Sequence, residues 1–264
     1  MQRLGAMLRF GLGYLSANFQ GALEYRLSFF TQVFSMLIND IMWIVFWIAY
    51  FSRFPVVGGW GRDEVVTLWA VTAAGFGLAT AVCGNLFRLA GMITRGELDF
   101  YLALPKPVLA HALISRMNLP APGDILFGML AYGFLVRPTS VQWLLFGVFV
   151  LTSAMIFVGF GVLTQSLSFW LGNAEGLAQQ LVNALLGFST YPTVIFNGAV
   201  KFALFTLIPA GFIAYVPVQL LREFRPALFI GLLAFAAGIL ALGWFVFRIG
   251  LQRYESGNLV LMRD

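Results

Sequence analysis

Long apolar runs alternate along the chain with short clusters of glycine, proline and charge, and their length and composition predict helices rather than strands. Residues 1–25 are patterned differently. Leu4, Met7, Leu8, Gly11, Leu12, Leu15 and Phe19 recur at three- and four-residue spacing, with Gln2, Arg3, Arg9 and Gln20 between them. This stripe predicts an amphipathic helix lying in a membrane interface, the alternative being a frayed tail. The first continuous run, from about Leu27 to Phe51, carries Asn39 and Asp40 in its middle. A central Asp costs ~2.5–3.5 kcal/mol on the insertion scale, whereas each Leu, Ile, Val or Phe contributes about 0.3–0.6 kcal/mol the other way, so this helix still inserts.

A polar turn from Arg53 to Glu64 leads into a second run, about Val65 to Phe87, in which Ala73, Gly77 and Ala81 fall at four-residue spacing and permit close helix packing. A third run, about Leu119 to Val136, has Pro120, Pro122 and Asp124 in its first turns, where Asp124 reads as a helix cap. After Arg137, Pro138 and Thr139, a fourth run is longer than a bilayer requires, and the stretch Gly172 to Gly176 breaks it. A shorter helix reaches about Thr190, and a last run covers about Ala227 to Phe247. Between these two, residues 191–225 are apolar but punctuated by Pro192, Gly198, Lys201, Pro209, Gly211 and Pro217, which predicts a re-entrant or broken segment.

Composition turns this pattern into a fold class. The 264 residues are 60% hydrophobic and 10% charged, against about 25% charged in soluble domains. The chain is therefore expected to be an all-α integral membrane protein, one domain over residues 1–264. At about 20 residues per span there is room for roughly six transmembrane helices and no soluble domain. The net charge of +5 is read as a topology signal, not as an affinity for nucleic acid. Six spans with a cytoplasmic start put ten of the 16 basic residues inside and six outside; seven spans give about nine against seven. Six spans, with both termini cytoplasmic, are the expectation. The start lacks the apolar core and cleavage site of a signal peptide and is expected in the mature protein. Cys83 alone cannot form a disulfide within the chain.

Against this apolar background, residues 88–117 stand out, especially GELDFYLALPKPVLAHALISRM from Gly96 to Met117. Glu97 and Asp99 suit a helix start, Phe100, Tyr101 and Leu104 offer apolar knobs, and Pro105 and Pro107 stop the helix. On these residues alone, a docking element and an ordinary interfacial loop are equally open. The run Gly96 to Leu102, followed by Leu104, Pro105 and Pro107, resembles the cytoplasmic loop of bacterial ABC type-2 transporter permeases, the membrane subunits of ATP-driven exporters. The tail Gly250, Leu251, Arg253, Tyr254, Glu255, Ser256, Gly257 and Asn258 is similar to the ending of the same group, and the order of features agrees over nearly the whole chain.

The resemblance implies a coupling helix that docks on a nucleotide-binding ATPase dimer through Glu97, Leu98, Asp99, Phe100, Tyr101 and Leu104, with Glu175 as a second, smaller contact. It implies a second permease subunit, the same or related, in the bacterial cytoplasmic (inner) membrane, with its lipid as surroundings. ATP and Mg would be bound by the partner, since the chain has no GxxxxGK loop of its own. His111 has no Cys or Glu at ligand spacing and reads as an interfacial histidine, not a zinc ligand.

Asn39, Asp40 and Trp43 are candidates for a substrate path or subunit interface, because intramembrane acids generally face a bundle interior; a hydrogen-bonded structural acid is the alternative. The leading expectation is the permease of an exporter for hydrophobic or amphipathic cargo, lipid-like, drug-like or a natural product. A secondary transporter or channel using Asp40, and a membrane scaffold without transport, are the competing readings.

Overall fold

The computed structural model describes residues 2–196 and 198–254. Among the features above, Glu255, Ser256, Gly257, Asn258 and the side chains of Gln2, Arg3, Leu4, Met7 and Leu8 lie outside the described residues. The fold is helical throughout, with no strand among the described residues.

The amphipathic start is one helix, α1 (Gln2–Glu24), followed by α2 (Arg26–Arg53), which has an arginine at each end of its apolar length. The turn after it leads into α3 (Arg62–Val82), whose Glu64 accepts a hydrogen bond from the Gly61 N–H at 2.9 Å and so occupies an orphan donor at the helix start. The second run was expected to continue to Phe87. It stops at Val82 because the following backbone pairs with the returning chain: the Gly84 N–H donates to the Arg116 carbonyl (3.0 Å) and the Asn85 N–H to the Leu113 carbonyl (3.3 Å), while the Asn85 side-chain amide donates to the Ala112 carbonyl (2.9 Å). Gly84 lies directly on the backbone of residues 116–118, where a β-carbon would collide.

Short helices α4 (Leu89–Thr94), α5 (Leu98–Leu102) and α6 (Val108–Ile114) then fold over the end of the bundle. The chain re-enters as α7 (Ala121–Ala131), which widens into a π-turn over Tyr132–Val136 and ends at Arg137 in the left-handed region. Next come α8 (Ser140–Gln165), the single turn α9 (Ser168–Leu171), the break at Gly172 and α10 (Glu175–Ser189). The expected interruption of residues 191–225 takes the form of α11 (Gly198–Thr206), a π-turn at Gly211–Tyr215 and α12 (Val216–Arg222), bent by 78° between the two halves. The last run is α13 (Pro226–Leu251).

The central helix is α3, flanked by α7 and α8. Small residues set these contacts. A β-carbon at Gly128 would stand 2.6 Å from the Ala70 carbonyl, and one at Gly159 would stand 2.7 Å from the backbone of Ile239 on α13. Without a hydrophobic driving force between helices in lipid, such backbone approach is what holds them together. By contrast α2 and α13 keep most of their apolar surface uncovered. Among the described residues, four helices are long and apolar enough to cross a membrane, namely α2, α3, α8 continued through α9, and α13; the bent α11–α12 pair would make a fifth. A count of six takes in Ala121–Val136 and α10, both shorter than a straight span. At the far end, Arg222 ties α12 to the α2–α3 turn, donating to Glu64 (3.1 Å) and to the Gly59 carbonyl (2.9 Å).

Candidate functional site

The segment 96–117 is positioned from beneath. Gly96, at φ +74°, ends α4 with a left-handed residue, letting the Glu97 N–H reach the Met92 carbonyl at 2.9 Å and the Gly96 N–H the Ile93 carbonyl at 3.5 Å. The chain thereby reverses into α5 with Leu98 driven fully into a buried cluster with Leu86, Leu89, Met92 and Phe247. Leu98 is thus the anchor of the segment and is not presented on its outer face. Phe100 is 65% exposed and Leu102 46%; Glu97 is also exposed, whereas Asp99, Tyr101 and Leu104 are half-buried. The Tyr101 hydroxyl shares a hydrogen bond with Ser115 (2.9 Å).

Arg95 joins the two expected contact regions. Its guanidinium donates to Glu97 at 2.7 Å and lies 3.8 Å from Glu175 at the start of α10. The hydrogen bond and charge of Glu97, with a smaller part from Glu175, raise the Arg95 pKa. The tail reaches the same place. Tyr254 packs with the cluster around Leu98, and burial, then the neighbouring carboxyl of Asp99, push its phenol upward. The loop and the described part of the tail, up to Tyr254, are therefore in contact.

His111 is buried in the seam between the loop and α1, not at an open interface. Its Nε2 shares a 2.6 Å hydrogen bond with the Tyr14 hydroxyl, and the rings of Phe10 and Tyr101 each stand 5.1 Å from it. Burial, and then the charge of Lys106, lower its pKa. The Asn18 amide adds a 3.0 Å bond to the Ile114 carbonyl, so the amphipathic helix is clamped to the loop. No cluster of metal-ligating side chains exists among the described residues.

A second site lies within the membrane-spanning part. Gly123 lets the start of α7 approach the Val33 carbonyl of α2, a β-carbon there standing 2.6 Å away, and Gly77 of α3 lies against Asp124 and Ile125. Asp124 is thereby pressed between α2 and α3. It caps no helix: both it and Asp40 are buried, and their carboxyls are hydrogen-bonded to one another, which requires a proton between them. Asn39 is a weak further donor, 3.5 Å from Asp40. The pair lines a cavity of about 390 Å³, shared with Asn39 and with Trp43, whose ring stacks on Trp69 at 5.7 Å. Asn39, Asp40 and Trp43, proposed together from sequence, are thus brought together; Asp124, Trp69 and Asn183 complete the wall and were missed.

The family described as ABC-2 family transporter protein matches residues 37–257. No curated protein and no solved structure matches the chain.

Proposed function

The chain belongs to the ABC-2 transporter family, as a multi-pass membrane permease component, and on that premise we propose that it is the permease half of an ATP-driven exporter for hydrophobic or amphipathic molecules. A separate nucleotide-binding subunit, carrying ATP and Mg, docks on the face formed by Glu97, Phe100, Tyr101, Leu104 and Glu175, with Asp99 at its edge and Leu98 as its buried anchor. Two permease chains, identical or related, enclose the path, with both termini in the cytoplasm of a bacterial inner membrane and six spans per chain.

One observation carries this reading: Arg95 gathers Glu97 and Glu175, from two separate connections, onto one surface beside the exposed Phe100 and Leu102. A charged patch with protruding apolar side chains on a short, firmly anchored helix suits a partner that must both bind and transmit movement. The test is purification of the full-length protein in mild detergent from its native host, with copurifying chains identified by mass spectrometry. A stoichiometric ATPase subunit is expected, and Glu97→Arg combined with Glu175→Arg should release it; its absence while other membrane complexes survive would overturn the reading.

The buried carboxyl pair favours one competing reading, a gradient-driven transporter. There, Asp40→Asn abolishes transport and no ATPase subunit is required.

A further inference from the structure

We propose that the cavity beside Asp40 and the groove continuing from it form a two-part site for an uncharged amphiphile, with a hydroxylated head in the cavity and an apolar tail in the groove. The proposal rests on the exporter reading and names the chemistry of its cargo.

The two spaces are contiguous. The groove, about 410 Å³, runs along the end of α10 past Ala184, Phe188, Ile195 and Phe196, and Gly187 and Tyr191 line both it and the cavity. Its wall is apolar, whereas the cavity wall carries Asp40, Asp124, Asn39, Asn183 and Thr190. A ligand filling both must be polar at one end and apolar at the other.

The unmet hydrogen-bonding groups define the head. Asp40, 4% exposed, has a buried Oδ2 that receives no N–H or hydroxyl donor, and one proton shared with Asp124 leaves most lone pairs of the two carboxyls free. Trp69, 7% exposed, lines the same cavity, and its buried Nε1 has no acceptor. The Asp40 carboxyl therefore lacks a donor and the Trp69 indole an acceptor. A hydroxylated head supplies both, donating to the carboxyl and accepting from the indole. An ammonium could answer only the carboxyl. A phosphate or carboxylate could answer only the indole, and would stand beside two acids with no Lys, Arg or His in the wall. The stacked Trp43 and Trp69 rings add a flat apolar plate for the C–H face of such a head.

To test this, the full-length protein with its copurifying subunits is placed in phosphatidylcholine nanodiscs and titrated with radiolabelled monooleoylglycerol, with oleylamine and oleyl phosphate as competitors. Saturable binding is expected, displaced preferentially by unlabelled monooleoylglycerol. Trp69→Phe, which keeps the ring and removes the donor, should weaken it about fivefold. Gly187→Leu, at a position where a β-carbon would meet no other heavy atom within 4 Å, should block the junction of the two spaces and abolish binding. Absence of saturable binding, equal or better displacement by oleylamine or oleyl phosphate, or binding indifferent to both variants would overturn the proposal. Retention of the ATPase subunit is scored in the same samples: failure to bind with the ATPase present refutes this site alone, whereas absence of the ATPase counts against the exporter reading.

Discussion

Asp124 shows how much the meaning of one side chain depends on its neighbours. Beside Pro122 and Gly123 at the start of an apolar run it resembles a cap; in the fold it is buried against Asp40 on another helix. Removing one member of a buried, hydrogen-bonded acid pair strands the other, at a cost of about 3 kcal/mol, whereas an amide in the same place still donates to the remaining carboxylate. Asp124→Asn should therefore leave the thermal midpoint of the purified protein close to that of the wild type, while Asp124→Leu should lower it markedly in the same melting assay. A midpoint unchanged in both variants would show that the pair contributes nothing to the fold, and an equal large loss in both would show that an amide does not replace the acid. The candidates on α2 were legible because an acid inside an apolar run is itself a signal. Asp124 was not, because its pairing depends on how closely Gly123 and Gly77 let three helices approach, and local spacing does not encode that distance.

For single elements, the form of residues 96–117 was legible in outline. Its proline stops and acidic start were visible, and α5 lies between Gly96 and Pro105 as those signals require. Its orientation was not legible: a helix of five residues is too short for periodicity to distinguish a buried side from an exposed one, so Leu98 was grouped with the contact residues although it is wholly buried. Gly96 fixes that orientation. With φ at +74°, an alanine there costs roughly 1 kcal/mol and favours a different exit from α4. Gly96→Ala is expected to shift the melting temperature little but to weaken retention of the ATPase subunit on a pull-down. Leu98→Ala should instead lower stability by about 2–5 kcal/mol through the cavity it leaves, read by thermal melting before any binding is measured.

Across the whole molecule, one helix connects the two candidate sites. Glu175 begins α10 within reach of Arg95 at the docking face, and Asn183, Leu186 and Gly187 further along the same helix line the cavity that holds Asp40. Sequence placed Glu175 as a second, smaller contact and the rest of this stretch in a short apolar helix, with no hint that its other end lines the cavity. An uninterrupted helix moves as a rigid element, so under the proposed function a displacement imposed at Glu175 by a closing partner would be carried to the cavity wall. Softening the middle should uncouple the ends without disturbing either. Gln180 is exposed, and a glycine in an exposed helix interior costs about 1 kcal/mol; Gln180→Gly should therefore preserve both the fold and the copurified ATPase subunit while reducing the response of ATP hydrolysis to an amphiphile such as monooleoylglycerol. Charge reversal at Glu175 should reduce that response too, but by releasing the ATPase. If the Gln180→Gly variant keeps its ATPase and responds to the amphiphile as the wild type does, α10 is not the connecting element, and the movement must reach the cavity through α3 or α7 instead.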